Sequence, residues 1–121
     1  MMAEEILSLN KKENLQDIIS HFLQEVRKIL GSKLSKIILY GSYARGDYHE
    51  NSDVDIMILT HLTEEEIERV ENRIFDVAFD FQMKYLIDIS VVVKNEEQFN
   101  YWLGALPFYD NVQKEGIVLG G

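Results

Sequence analysis

The chain has 121 residues, no cysteine and a formal net charge of −9, with 21 acidic against 12 basic side chains. Without cysteine, disulfides and zinc–thiolate sites are excluded. Because affinity for a phosphate backbone comes largely from lysine and arginine, this charge argues against nucleic acid as the main partner. The length predicts one compact domain over residues 1–121. Since the sequence has neither a membrane-length apolar run nor a signal-peptide pattern, we expect a cytoplasmic protein with no membrane partner.

The first element is an amphipathic helix, predicted from Asn10 to Leu30 by apolar residues at helical spacing. Asn10 and Glu13 resemble a capping box at its start, and Gly31 is a natural stop. A run rich in β-branched and apolar residues then predicts a first strand over residues 33–40. Its continuous apolar stretch indicates burial on both faces.

A Gly41–Ser42 turn follows this strand and supplies the parts of a phosphate site. Glycine permits positive φ and close backbone approach, and consecutive amides at a helix start form a nest for anionic oxygens. A short helix expected over residues 43–46 would aim its amides at those oxygens. Ser42 adds a hydroxyl, and Arg45 adds a positive fork suited to phosphate.

Two aspartates open the second predicted strand, residues 53–59. Because side chains alternate between strand faces, Asp53 and Asp55 project from the same face, with Cα atoms about 6.5 Å apart. Such a pair suits Mg²⁺, and two ions about 3.5–4 Å apart assist in-line displacement at phosphorus. Together with the turn, the pattern predicts a nucleoside-triphosphate site with metals. The polar connection before the strand contains side chains that we interpret as solvated turn residues: Asp47, His49 and Glu50.

The next helix is expected to begin at Thr63, which forms a capping box with Glu66. A third strand is predicted over residues 85–93. Asp88 interrupts its apolar run, and buried carboxylates are rare unless they are paired or bind a metal. The residues alone leave two interpretations of Asp88 open: a member of the site, or an exposed aspartate at a strand end.

A last helix is expected from residue 94 or 95 to residue 103, followed by the chain's only proline. Aromatic side chains crowd this region and are interpreted first as core and second as a partner interface: Phe99, Tyr101, Trp102, Phe108 and Tyr109. Residues 115–119 are expected to add a short strand or to cover the core. The order of helices and strands predicts an α/β fold, a small sheet packed against helices.

Two strings carry a family resemblance: Gly-Ser-Tyr-Ala-Arg-Gly-Asp at residues 41–47 and Ser-Asp-Val-Asp at residues 52–55. Together they resemble the signature of the DNA polymerase β-like nucleotidyltransferases, and within these the MNT (minimal nucleotidyltransferase) group. Either string alone would be weak, but their joint occurrence at this spacing between two apolar runs is specific. The resemblance covers nearly the whole chain, as a catalytic core. It implies the mixed sheet of the polymerase β-like palm in place of an all-parallel one.

The resemblance also implies a Mg²⁺-dependent enzyme that transfers AMP from ATP to a hydroxyl. Contacts to the nucleotide would come from four residues: Gly41, Ser42, Arg45 and Ser52. Two Mg²⁺ ions would be held by three catalytic carboxylates: Asp53, Asp55 and Asp88. In the superfamily the third carboxylate comes from the strand beside the Asp-x-Asp strand, and this favours the interpretation of Asp88 as a site residue.

Many MNT proteins are antitoxins paired with HEPN toxins, and the resemblance implies transfer of AMP to a tyrosine of such a toxin. Two alternatives stay open from the sequence. One is a non-catalytic antitoxin that masks its partner by binding, and the other is an enzyme that modifies a small molecule. A homo-oligomer and a hetero-complex are both open as well, and ATP over other nucleotides rests on the family alone.

Overall fold

The chain folds into a four-stranded sheet with helices on both faces. The computed structural model describes residues 2–49 and 52–120, and within these the side chains of residues 15–49 and 52–120. Its helices are α1 (Met2–Leu30), α2 (Ser42–Arg45), α3 (Glu64–Tyr85), α4 (Glu96–Trp102) and α5 (Pro107–Glu115). Its strands are β1 (Leu34–Tyr40), β2 (Val54–Thr60), β3 (Ile89–Asn95) and β4 (Ile117–Gly120). No helix in the described ranges is long and apolar enough to cross a membrane.

The sheet is mixed, which confirms the predicted fold class. Its strand order is β3-β2-β1-β4. Strand β1 pairs antiparallel with β2 and with β4, whereas β2 pairs in parallel with β3. Strands β1 and β3, which come after α1 and α3 in the chain, therefore lie on either side of β2.

Alternation along β2 sends its side chains into two cores. Val54, Ile56 and Ile58 join a cluster built largely from α1 and α3. Met57 and Leu59 point to the other face, where they pack with residues of α4 and α5. Followed back toward the start of β2, this second face carries Asp55, so the face that is apolar under α4 and α5 becomes acidic at the strand's start.

The predicted start of the first helix is wrong. Helix α1 begins at Met2, so the backbone of Asn10 and Glu13 lies inside it and cannot form the predicted capping box. Asparagine inside a helix costs only a fraction of a kcal/mol, about 0.7 at most, and good helix formers precede it. The side chains of both residues lie outside the described part of the chain. The predicted end is confirmed, because α1 stops at Leu30 and a 3₁₀ turn follows from Gly31.

The predicted start of the third strand is also wrong. Helix α3 continues to Tyr85, because Phe81 packs on Phe22 of α1 and Tyr85 packs on Phe81. Leu86 then adopts a left-handed conformation, with φ of 57°, and ends the helix. Strand β3 starts at Ile89. Asp88 therefore lies just before the strand and is exposed, instead of interrupting a buried run.

The C-terminal region contains one helix more than the sequence indicated. Helix α4 is capped by Asn95, whose side chain accepts a hydrogen bond from the Gln98 amide. A second helix, α5, begins at Pro107, where a missing amide hydrogen is tolerated because first-turn amides lack intrahelical partners. Of the two alternatives for residues 115–119, the structure shows the short strand, β4.

The capping box of α3 gives a first prediction. The Glu66 amide donates to the Thr63 hydroxyl at 3.2 Å, and the Thr63 amide donates to the Glu66 carboxylate at 3.1 Å. Thr63→Ala removes one of these bonds and should lower the free energy of unfolding by about 1 kcal/mol in urea titrations. Thr63→Ser keeps the hydroxyl and should retain nearly all of the stability. Equal losses in both variants would contradict the capping role.

Candidate active site

A sharp turn between β1 and α2 forms the first part of the candidate site. Gly41 has φ of 74°, and its carbonyl accepts hydrogen bonds from the amides of Ala44 and Arg45, both at 3.1 Å. The amides of Ser42 and Tyr43 stand at the first positions of the helix, where no intrahelical acceptor exists. The turn therefore offers amide donors without an intrahelical acceptor and a serine hydroxyl close together, the combination that suits phosphate oxygens.

The turn lies directly against Asp55. A Cβ atom added to Gly41 would come within 2.3 Å of an Asp55 carboxylate oxygen, so no side chain fits at this residue. The approach follows from the register of the antiparallel pair, in which Tyr40 faces Asp55. The predicted turn and one predicted carboxylate are thus in contact.

Asp55 is the more enclosed of the two aspartates in the Asp-x-Asp pair. It is half-buried in β2, whereas Asp53 is exposed just before the strand. Burial raises the pKa of Asp55, the negative charge of Asp53 raises it further, and the positive charge of Arg45 acts in the opposite direction. The two carboxylates thus repel each other, and a cation placed between them would relieve that repulsion.

Asp88 lies beside this pair at the sheet's β3 edge. The Val54 amide donates to the Asp88 carbonyl at 2.8 Å, and the parallel register sets Val54 beside Ile89. Continued by one residue, that register sets Asp53 beside Asp88, at the point where both strands begin. The backbone thus places residue 88 near residue 53, but the structure does not gather the side chains of Asp53, Asp55 and Asp88 into one group that could hold a metal ion. A catalytic role for Asp88 stays a prediction.

Arg45 is held by two carboxylates. Its Nε donates to Asp47 at 3.2 Å and its Nη1 donates to Glu115, at the end of α5, at 3.1 Å. These hydrogen bonds, that to Asp47 first, raise the pKa of the guanidinium. Arg45 is therefore fixed between the turn and the C-terminal helix, and its predicted contact with the nucleotide stays a prediction.

The two serines of the predicted site have different surroundings. Ser42 begins α2 and is partly buried at the turn. The Ser52 hydroxyl accepts a hydrogen bond from the His49 amide at 2.9 Å, and the Ser52 amide donates to the His49 carbonyl at 3.0 Å. Ser52 thus closes the loop before the aspartates. Its contact with the nucleotide stays a prediction, and residues 50 and 51 of the polar connection lie outside the described chain.

The donor set fits a divalent cation that is bound together with a substrate. Among the side chains of residues 15–49 and 52–120, no three His, Asp or Glu residues are gathered closely enough to hold a metal ion alone. Mg²⁺ is commonly held by one or two carboxylates, with waters and substrate phosphates completing its shell. The repelling pair Asp53 and Asp55, placed against a phosphate-type turn, provides the protein's share of such a shell.

Three features near the site were missed in the sequence. Tyr40 lies opposite Asp55, and burial together with that charge raises the pKa of its hydroxyl. Tyr43 stacks on Tyr48, with ring centroids 4.5 Å apart. Glu115 reaches Arg45 from 70 residues away in the chain. Strand alternation together with the register could have indicated Tyr40, but no sequence signal pointed to the Glu115 contact.

A family model described as the nucleotidyltransferase domain matches residues 19–118. The chain belongs to this family. The match spans the turn, both aspartates of the pair, Asp88 and strands β1 to β3, so the nucleotidyltransferase assignment covers every residue placed in the candidate site.

Two archaeal proteins are similar to this nucleotidyltransferase over most of their length. Both are from Methanocaldococcus jannaschii and carry the name "Putative protein adenylyltransferase". One is 35% identical over 106 residues, which cover 88% of this chain and 98% of the relative. The other is 42% identical over 101 residues, which cover 84% of this chain and 94% of the relative.

One solved structure is similar in both fold and sequence. It is a crystal structure of a toxin–antitoxin with AMP-PNP, and the matching chain is 25% identical with a TM-score of 0.54. The match covers 84% of this chain and 72% of that chain. That structure therefore contains a nucleotide analogue and a partner protein together with a chain of this fold.

The two glycines of the turn provide a matched test. Gly41 and Gly46 both have positive φ, but a Cβ at Gly46 would meet nothing within 4 Å. Each alanine variant should lose about 1–2 kcal/mol of unfolding free energy in urea titrations, because of the backbone conformation. Only Gly41→Ala also displaces Asp55, so only this variant should bind AMP-PNP at least about tenfold more weakly by calorimetry. Equal affinities in both variants would contradict the contact.

The repulsion between the aspartates gives a stability prediction. Asp53→Asn should leave the fold intact and raise the unfolding free energy by about 0.5 kcal/mol or less at pH 7, as expected for exposed charges. Because the pKa of Asp55 is raised in the folded state, its charged form is penalised at neutral pH and relieved on acidification. The gain should therefore disappear below about pH 4 in urea titrations. Asp17→Asn, an exposed change on α1, should show no comparable gain.

Proposed function

We propose that this nucleotidyltransferase moves AMP from ATP to a tyrosine hydroxyl of a HEPN-type toxin and thereby neutralises the toxin. The contact between Gly41 and Asp55 carries the proposal, because it sets a turn suited to phosphates against a carboxylate suited to Mg²⁺. The names of the archaeal relatives support a protein as the acceptor. The toxin–antitoxin structure with AMP-PNP supports a toxin partner and an adenine nucleotide. The HEPN class of the partner rests on the resemblance of residues 41–47 and 52–55.

The residues of the site would contact different parts of the substrate. The Gly41–Ser42 turn would hold the β- and γ-phosphates, with Arg45 and Ser52 near the nucleotide. Two Mg²⁺ ions would be held by Asp53, Asp55 and Asp88, and when bound they neutralise charge on the departing pyrophosphate and favour the ionised acceptor hydroxyl.

The proposed reaction is an in-line displacement at the α-phosphorus. The acceptor oxygen forms a bond to that phosphorus, and the bond from phosphorus to the bridging oxygen of pyrophosphate breaks. The hydroxyl proton passes to Asp88 or to water, and pyrophosphate leaves. The exposure of Asp53 and Asp88 suits this chemistry, because a tyrosine on another protein can only approach carboxylates that are open to solvent.

The test is intact-mass spectrometry of the protein encoded by the neighbouring gene, incubated with this chain, ATP and Mg²⁺. The partner should gain the mass of one or more AMP units, and chelation of the metal should prevent the gain. Asp53→Asn and Asp55→Asn should each reduce the rate at least about a hundredfold, because the metal contributes several kcal/mol to the transition state.

A substitution of an aspartate outside the site serves as the control for this test. Asp17→Asn, on the exposed side of α1, should transfer AMP at the rate of the unchanged chain. If the Asp53 and Asp55 variants still neutralise an unmodified partner, neutralisation occurs by masking and the proposal is wrong. Product formed without any protein partner would instead identify a small-molecule acceptor.

A further inference from the structure

Two aromatic rings extend the sheet face that carries Asp55. Tyr40 is the cross-strand partner of Asp55 in the antiparallel pair, so the two side chains lie on the same face. Burial and then the charge of Asp55 raise the pKa of the Tyr40 hydroxyl, as expected for close neighbours. The Phe108 ring, in the first turn of α5, contacts the Tyr40 ring with 5.6 Å between centroids. A continuous surface therefore leads from Asp55 over Tyr40 to Phe108.

The Phe108 ring keeps an open surface. It is 44% exposed, although the rings of Tyr40 and Tyr109 both contact it. Their planes meet that of Phe108 at 78° and 51°, so neither neighbour forms a parallel stack on it. The core beneath α5 is formed by other side chains, among them Tyr109 and Val112. A planar ligand can therefore stack on Phe108 without displacing any described part of the core.

The first turn of α5 holds Phe108 in a defined position. Pro107 fixes the backbone angle at the helix start. The Gly104 amide donates to the Asp110 carboxylate at 2.6 Å, and this bond joins the preceding loop to the same turn. An aromatic side chain that is already held in place loses little conformational freedom when a ligand binds, so Phe108 is suited to ligand contact.

The other end of α5 is fixed beside the phosphate turn. Glu115, in its last turn, accepts a hydrogen bond from Arg45 at 3.1 Å. A Cβ atom added to Gly116, directly after the helix, would come within 2.5 Å of the Ile38 side chain on β1, so the helix end lies tightly on the sheet. Helix α5 therefore extends from a residue beside the phosphate turn to the exposed ring of Phe108.

The distribution of charge indicates what occupies this surface. The sequence has no lysine or arginine from residue 95 to residue 113, so the segment that carries Phe108 offers no cation to a phosphate. The nearest acid in that segment, Asp110, is already engaged by the Gly104 amide. An uncharged, planar group suits the ring instead. A nucleoside triphosphate held at Asp55 has one such group, its base, at the opposite end from the γ-phosphate.

We propose that Phe108 is the residue on which the base of the nucleotide stacks, and that Tyr40 contacts the nucleoside between the base and the phosphates. This inference rests on the proposed function and adds which residues hold the nucleoside half of the substrate. Every base has a π face, so stacking on Phe108 strengthens nucleotide binding without selecting adenine over guanine.

The test compares the affinities of two ligands, AMP-PNP and inorganic tripolyphosphate, each measured by calorimetry with Mg²⁺. Phe108→Ala should weaken AMP-PNP binding by about tenfold, because the loss of one base stacked on an aromatic ring has an effect of this order. The affinity for tripolyphosphate should stay unchanged, since this ligand has no base. GMP-PNP, the guanine counterpart of AMP-PNP, should lose affinity by the same factor.

Three further variants separate stacking from a structural effect. Phe108→Trp keeps an aromatic face and should retain the AMP-PNP affinity of the unchanged chain. Phe75→Ala removes a ring of similar exposure, 39%, from α3, whose buried residues pack on the other face of the sheet. It should leave both affinities unchanged. Gly41→Ala, by contrast, should weaken both ligands, because it disturbs the turn beside Asp55.

The outcomes separate the two proposals. If the unchanged chain binds AMP-PNP and Phe108→Ala binds it as tightly, this inference alone is overturned. If Phe108→Ala weakens both ligands equally, or if Phe108→Trp loses as much affinity as Phe108→Ala, residue 108 acts through the position of α5 and the inference is likewise overturned. If the unchanged chain does not bind AMP-PNP in the presence of Mg²⁺, the proposed function fails and this inference fails with it.

Discussion

The site depends on one close approach, in which the Asp55 carboxylate occupies the space that a side chain at residue 41 would fill. The approach is built into the sheet, because the antiparallel register of β1 and β2 sets Tyr40 opposite Asp55 immediately before the turn. Strand β1 is itself held on both sides, by β2 and β4. The turn therefore cannot shift away from the carboxylate without disturbing the centre of the sheet, and this rigidity is what a phosphate and metal site requires.

Charge gives the site its chemical character. Burial and the negative charge of Asp53 raise the pKa of Asp55, so the folded chain holds Asp55 in surroundings that disfavour its ionised form. Arg45 compensates only in part, because its guanidinium is already engaged by Asp47 and Glu115. The resulting excess of negative charge beside a turn rich in amide donors suits a substrate that arrives as an anion with its own cations.

The parts of this structure that could be predicted from sequence are those set by local interactions. The capping box at Thr63 involves neighbours in the chain and is present. The closeness of Asp53 and Asp55 also follows from their spacing, and the charge of Asp53 acts on Asp55. The start of α1 was wrong because Asn10 gives a capping signal that a helix interior tolerates at little cost. The start of β3 was wrong because Tyr85 packs on Phe81, which itself packs on Phe22 of α1, and these contacts favour helix over strand. The link between Arg45 and Glu115 depends on where α5 packs, and no local pattern contains that information.

The placement of the acids at the open ends of two strands separates the chemistry from the fold. Asp53 and Asp88 lie outside the strands and are exposed, and the two hydrophobic cores are complete without them. Substitutions of Asp53 or Asp88 cost little folding free energy, so selection for stability alone does not retain these two carboxylates. A descendant of this chain could lose catalysis in one step and keep its fold. Enzymatic and purely binding forms of such a domain are thus one mutation apart, and the fold alone does not distinguish them.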